Sequence, residues 1–320
     1  MENTFLKKRH TDYQTSEQTL FDCVWHATGE VVTQAHPLHA GYDNEVYCVE
    51  GGVQKAYVVR IARYGDTSLL QEAWALEQAR NAGVCVPDVF WTGTYDFEGT
   101  LREVMVQSRM EGTPLPHFKD DVTSVVWQKL CENVIENLEK LHSVRVGGYY
   151  KRQIDGSWDF PDWEAITASA LQDRAKDLEA LTERGFLVEA AARVWAIVER
   201  SLIQERPSSA VLCHGDLHSE HIFVNAGGSL SGFIDFGEFQ GGVPIIDYAA
   251  FYSALPEEVR YLLVKSHSAL GASFEEQVLL YKVCYDVGLL AHFVRLGDLQ
   301  SAEQTEKEMR DCLRQWEERQ

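Results

Sequence analysis

Two carboxylates and three imidazoles lie where apolar runs end in the second half of this sequence. Val211-Leu212-Cys213 leads into His214-Gly215-Asp216-Leu217-His218, and His221 follows Asp216 by five positions. After a Gly227-Gly228 turn, Gly232-Phe233-Ile234 leads into Asp235-Phe236-Gly237-Glu238. Strands that end in polar loops hold side chains rigidly at a sheet rim. A carboxylate there can take a proton from an alcohol, and a second one can supply a hard oxygen ligand to a divalent cation. A different chemistry is also open. If residues 214 to 218 continue the strand, His214, Asp216 and His218 share one face and could hold the metal of a hydrolase.

The spacing of Asp216, His221 and the Asp235-Phe236-Gly237 run matches the catalytic loop and metal-binding motif of kinases. The His214-Gly-Asp-Leu-His and Ile234-Asp-Phe-Gly-Glu runs, together with Pro244-x-x-Asp247-Tyr-Ala, resemble the aminoglycoside phosphotransferase family over about residues 35 to 300. The resemblance implies an α+β, bilobal protein-kinase-like fold with a small β-rich N-lobe and a larger, mainly helical C-lobe. It also implies transfer of the γ-phosphate of ATP or GTP, with Mg²⁺, to a hydroxyl of a small molecule. By this resemblance Asp216 is the catalytic base or orienting group, His221 and Asp235 hold Mg²⁺, and His214 and Asp247 support the catalytic loop. Gly41 and Asn44 belong to a short nucleotide-covering loop. Gln107 and Met110 lie at a hinge that meets the base, with Gly112 leaving it free to flex.

The elements upstream agree with this assignment. Tyr57 to Ala62 and Leu101 to Gln107 read as strands, and alternation sets Arg60 apart from Tyr57, Val59 and Ile61, so Arg60 can point towards phosphates. A helix opening on Ser68, in capping-box spacing with Gln71, carries Leu69, Ala73 and Leu76 on one face and stops at Gly83. On it, Glu72 resembles the glutamate that pairs with the phosphate-binding basic residue. The expected domains are a nucleotide-binding lobe (1–107), a hinge (108–112) and a catalytic and substrate-binding lobe (113–320). In the last, Trp127, Leu130, Val134, Leu138 and Leu141 form a helical stripe. Further helices are expected over Trp163 to Arg184, Leu187 to Glu205 and Glu275 to Leu296.

Three residues depart from the family pattern. Arg60 stands for the commoner lysine, Val243 for an aspartate before the proline, and His221 for an asparagine; Arg60 is the variant of macrolide-type members, while His221 resembles macrolide and some aminoglycoside members and points to antibiotic kinases without choosing between them. Composition narrows the partners. Twenty-nine basic against forty-nine acidic residues give a net charge of −20, which opposes nucleic acid and anionic membrane surfaces and suits a cationic acceptor as well as simple solubility. Tyr149, Tyr150, Trp158, Phe160 and Trp163 alternate with Asp155, Asp159, Asp162 and Glu164, a mixture that can receive a cationic sugar or amine or can simply pack between helices. Seven cysteines without a C-x-x-C pair argue against a disulfide framework or structural zinc, and no signal peptide is apparent, so a cytoplasmic monomer or dimer is expected. The acceptor expected is an aminoglycoside or macrolide antibiotic. The alternatives are a metabolic kinase for an alcohol such as choline, homoserine or a sugar derivative, the metal-dependent hydrolase, and an inactive nucleotide-binding module.

Overall fold

The computed structural model describes residues 15–38, 44–52, 55–63, 68–97, 99–118, 123–204, 207–266 and 274–318. In chain order the elements begin with helix α1 (Glu17–Thr28), then strands β1 (Val32–Pro37), β2 (Asn44–Gly51) and β3 (Ala56–Ala62). Helix α2 (Leu69–Asn81) leads to β4 (Val89–Phe97), β5 (Thr100–Ser108) and the two-residue β6 (Thr113–Pro114). After α3 (Ser124–His142) come β7 (Tyr149–Arg152), β8 (Trp158–Phe160), α4 (Trp163–Glu183), α5 (Ala191–Gln204) and β9 (Val211–Cys213). The short strands β10 (Ile222–Val224), β11 (Leu230–Phe233) and β12 (Gln240–Gly242) precede helices α6 (Ile245–Ala254), α7 (Arg260–Ser266), α8 (Phe274–Leu296) and α9 (Leu299–Glu317).

The chain divides into two compact units, and the division is not a single cut. Residues 1–119 and 220–239 form the first; 120–219 and 240–320 form the second. In the first unit five antiparallel strands run in the order β1-β2-β3-β5-β4, and a second, three-stranded sheet has the order β11-β10-β6. One face of the larger sheet packs Tyr57, Val59 and Ile61 of β3 with Tyr47, Val49, Val104 and Val106 against Leu20, Cys23 and Val24 of α1. Residues directly opposite on neighbouring strands share a face. The register Val46–Arg60–Met105 therefore puts Arg60 on the other face, as alternation requires.

Helix α2 begins where Ser68 Oγ accepts the Gln71 amide (3.4 Å). Its buried stripe is Leu69, Glu72, Ala75, Leu76 and Ala79. The expected position Ala73 is only half-buried, because a spacing of three rather than four from Leu69 brings Glu72 to the inner face. The helix stops before Gly83, which has φ +82°.

The second unit is mainly helical, but it contains a four-stranded sheet, β8-β7-β12-β9, that the expectation of helices did not foresee. The acidic, aromatic stretch is a β-hairpin in this sheet. Its turn holds Asp155 accepting the Ser157 amide (3.0 Å) and Gly156 at φ +87°. Helix α5 starts at Ala191 rather than Leu187, because Leu187 adopts φ +54° and cannot continue a right-handed helix. Leu178, Leu187, Val194, Val198, Val283 and Met309 are among the residues of one core uniting α4, α5, α8 and α9. Helix α8 is, by length and composition, apolar enough to cross a membrane, but Leu279, Val283, Val287 and Leu290 on it are buried in this core.

Gly112 departs from the flexible role expected for it. It sits at φ +90°, and a Cβ there would lie 2.3 Å from the Val224 carbonyl oxygen of β10, so the glycine serves close backbone approach. Gly99 has the same φ of +90° with nothing within 4 Å of a Cβ. Gly112→Ala is expected to destabilise by roughly 2 kcal/mol or more, through strain plus clash, and Gly99→Ala by the strain alone. Equal midpoints for the two variants in a denaturant titration would show that the Val224 contact is not a constraint.

Candidate active site

In the first unit the site is built around Arg60. Arg60 is 6% exposed, on the sheet face away from α1. Arg60 Nη1 donates to Glu72 Oε1 of α2, and Nη2 donates to Asp235 Oδ1 (2.8 Å). Glu72 Oε1 also accepts the Phe236 amide (3.1 Å), so one carboxylate ties the helix to both the β3 side chain and the Asp235-Phe236-Gly237 backbone. Glu72 is buried, 2% exposed. Burial pushes its carboxyl up to about 7, with the Asp235 charge adding to the effect and Arg60 pulling the other way. Burial works against the Arg60 charge too, but its two carboxylate partners more than compensate and raise its pKa. One guanidinium cannot fully offset two carboxylates.

Asp235 holds a left-handed backbone (φ +63°), which an aspartate tolerates only with support and which is common where a site orients a ligand. Its second oxygen, Oδ2, lies 3.4 Å from His221 Nε2, and the His221 carbonyl accepts the Ile234 amide (3.0 Å). Two donors at that separation can share one small cation. The donor set is one imidazole and one carboxylate beside a cluster with one positive and two negative charges, so it fits a divalent metal in charge, with Mg²⁺ the harder match because it prefers oxygen.

The other residues assigned to the nucleotide have distinct places. Asn44 opens β2 opposite Ala62 and is buried. Next to it, Glu45 accepts from Arg102 Nη2 (2.8 Å), the Tyr47 hydroxyl (2.7 Å) and Thr15 Oγ1 (2.8 Å), bonds that outweigh burial and keep its carboxyl below the usual range. Gln107 is buried opposite Val58, on the Arg60 face of the sheet. The Met110 side chain lies against Gly232, where a Cβ would meet its Cε at 2.6 Å. Gly41 lies outside the described residues.

In the second unit Asp216 follows β9 on a loop fixed from behind by Asp247. Asp247 Oδ2 accepts the His214 amide (2.9 Å) and meets His142 Nε2 (2.9 Å), while Oδ1 accepts the Gly215 amide (3.0 Å). The Asp216 amide then donates to His214 Nδ1 (3.3 Å), so Asp216 rides on a loop held at each preceding residue, its own side chain 31% exposed. Burial alone would raise the Asp247 carboxyl; hydrogen bonding and charge from His142, the His214 charge and the Gly215 amide outweigh it and hold the pKa below the ordinary value. Val243, in place of the family's aspartate, leaves its loop tied by backbone: its carbonyl accepts from Cys213 Sγ (3.4 Å) and the Ile246 amide (3.1 Å).

This geometry removes the basis of the hydrolase reading. β9 ends at Cys213, and His214 is fully buried with its ring on the Asp216 amide, so His214, Asp216 and His218 are not three ligands along one strand face. Sequence reasoning missed His142. Its signal was present: it follows Leu138 by four positions on the buried stripe of α3, where an unpaired polar group would be costly.

The model of the phosphotransferase enzyme family (APH) matches residues 34–277, well over half the chain. The chain belongs to this family. It is a phosphotransferase, and the aminoglycoside phosphotransferase resemblance read from its motifs is correct. Among solved structures, aminoglycoside phosphotransferase APH(4)-Ia superposes with TM-score 0.71 at 15% identity, over 93% of this chain and 99% of that one. A thermostable mutant of it in ternary complex with ADP and hygromycin B gives 0.69 at 14%, over 92% and 98%. Macrolide 2'-phosphotransferase type I gives 0.61 at 18%, over 92% and 97%. The phosphotransferase therefore has the α+β, protein-kinase-like fold expected of it. No curated protein matched its sequence.

The depressed Asp247 carboxyl has a defined pH signature. A lowered folded pKa contributes stability above the unfolded value of about 3.9, and that contribution is lost as pH falls through the folded pKa. Asp247→Asn should destabilise the phosphotransferase by about 3 kcal/mol at pH 7, since three bonds to a buried charge are weakened, and by less below about pH 4. Denaturant titrations at pH 7 and pH 3.5 measure this, and a penalty that does not shrink in acid would mean that Asp247 is not held ionised.

Proposed function

We propose that this phosphotransferase moves the γ-phosphate of ATP or GTP to a hydroxyl of an aminoglycoside or macrolide antibiotic, in the cytoplasm and with Mg²⁺, inactivating the drug. The observation that carries the proposal is Asp216: a partly exposed carboxylate on a loop fixed by Asp247 through the His214 and Gly215 amides. In the reaction the acceptor oxygen attacks the γ-phosphorus, the bond to the β-phosphate oxygen breaks, and the acceptor proton passes to an Asp216 carboxylate oxygen. Fixing the loop positions that oxygen before the substrate arrives, which lowers the entropic part of the barrier. His221 and Asp235 would hold the metal, whose charge offsets that of the phosphates. Arg60 would meet phosphate oxygens, oriented by Glu72. Asn44, Gln107 and Met110 are assigned to the nucleotide, with residues 108–112 as the hinge segment.

The acceptor side is assigned to the β7–β8 hairpin. It belongs to the same sheet as β9: Tyr150 pairs with Gly241 of β12, which pairs with Leu212. Two strand spacings, about 10 Å, thus separate Tyr150 from the strand that leads to Asp216. Tyr150 is 45% exposed at φ +69°, its ring 6.3 Å from Phe160, and Trp158 covers Gly148 and Gly241. An exposed aromatic that carries the Lys151 ammonium 6.0 Å from its ring centroid, in a hairpin that also holds Asp155 and Asp159, supports recognition of an amino sugar.

Two experiments test this reading. Asp216→Asn should lower turnover by roughly 10²- to 10⁴-fold with an unchanged melting temperature; a variant that keeps a third of wild-type turnover removes Asp216 from the mechanism. A panel of aminoglycosides, macrolides, choline, homoserine and sugars in a nucleotide-consumption assay should single out an antibiotic carrying positive charge. Its KM should rise with salt, as screening shortens the field of the acidic surface to about 8 Å at physiological ionic strength. Turnover confined to a metabolic alcohol would instead establish the metabolic-kinase alternative.

A further inference from the structure

Arg60 differs from the commoner lysine in more than hydrogen-bond strength. A lysine ammonium is a compact charge on a flexible stem, whereas guanidinium is a rigid fork whose two ends can bind two different anions at once. Here the two ends do bind different anions: Nη1 on Glu72, Nη2 on Asp235 Oδ1 (2.8 Å). The third donor, Nε, is buried without a hydrogen-bond partner among the described residues. Asp235 is thus engaged at both oxygens, Oδ1 by Arg60 and Oδ2 near His221 Nε2 (3.4 Å). Its following residue is anchored by a separate bond, the Phe236 amide on Glu72 Oε1 (3.1 Å), the oxygen that also receives Arg60 Nη1. The bond from Nη2 to Asp235 can therefore open while Nη1 stays on Glu72 and the Asp235 backbone stays in place.

We propose that Arg60 is a resident competitor for the divalent cation. Before nucleotide binds, one end of the fork occupies the Asp235 oxygen that the metal needs. The triphosphate offers that end, and the unpartnered Nε, another anion, and so releases Asp235 to the cation. Nucleotide and metal are coupled through one side chain, and by linkage each must strengthen the binding of the other. This inference rests on the phosphotransferase reading and on the assignment of Asp235 to the metal, and it extends them to the order in which the site fills.

The test is direct binding of Mn²⁺ to the purified full-length chain, without nucleotide, followed by the electron paramagnetic resonance signal of free Mn²⁺. Two variants break the fork while keeping the net charge of the three groups. Arg60→Lys retains the cation but cannot span both carboxylates, and the double variant Arg60→Met/Glu72→Gln removes one positive and one negative charge together. Each should bind Mn²⁺ about tenfold more tightly than wild type, the scale on which groups bonded to a ligand tune metal affinity. AMP-PNP should then enhance Mn²⁺ retention less in the variants than in wild type. Unchanged Mn²⁺ affinity in whichever variant melts as a folded protein overturns the proposal, as does a failure of all three proteins to bind Mn²⁺. Because no turnover is read, an incorrect acceptor assignment would leave this result standing.

Discussion

A single buried guanidinium shared by two carboxylates organises the first unit of this enzyme. Arg60 and Glu72 come from a sheet strand and the helix that follows it, 12 residues apart, and Asp235 from a loop 175 residues beyond Arg60; charge and the Phe236 amide on Glu72 hold the three in register. An ion trio with two of its three members buried is not a source of large net stability, because desolvation offsets much of the attraction. Its value is specificity of arrangement: a helix turned by one residue would bury a different side chain and leave the guanidinium uncompensated. The sheet's face against α1 is an apolar core, whereas the other face carries the buried Arg60 charge.

Asp247 plays the corresponding part in the second unit, by a different means. It gathers two backbone amides and an imidazole at one carboxylate, so that hydrogen bonds to the backbone add to the charge of the neighbouring histidines. Backbone amides cannot be moved by side-chain rotation, so a loop tied through them is stiffer than one tied through side chains. That stiffness passes along three consecutive residues to Asp216, whose own side chain stays accessible.

Much of this was legible in the sequence, for an identifiable reason. The run from Val211 to Glu238 carries its pattern locally, strand then polar loop twice over, and alternation in β3 separates Arg60 from Tyr57, Val59 and Ile61. Helix α2 was legible from its cap, but its inner face was not. A spacing of four to Ala73 or three to Glu72 from Leu69 is equally helical, and only the distant Arg60 selects the second. The β7–β8 hairpin was missed although Asp155-Gly156 between short aromatic runs is a turn signal, because the surrounding residues are helical and each strand is very short. His142 was missed because its partner, Asp247, is 105 residues away. What periodicity cannot encode is the identity of a long-range partner.

The return of residues 220–239 to the first unit bears on how the protein is made. The two-residue strand β6 has its hydrogen-bonding partner in β10, and Arg60 acquires its second carboxylate only with Asp235. A ribosome that has released residue 119 has therefore not released a finished first unit. At typical synthesis rates the missing segment emerges roughly ten seconds later. Through that interval the nascent sheet holds a guanidinium with one partner instead of two, and the last strands of the earlier unit must be added after most of the later unit's first helices have left the tunnel.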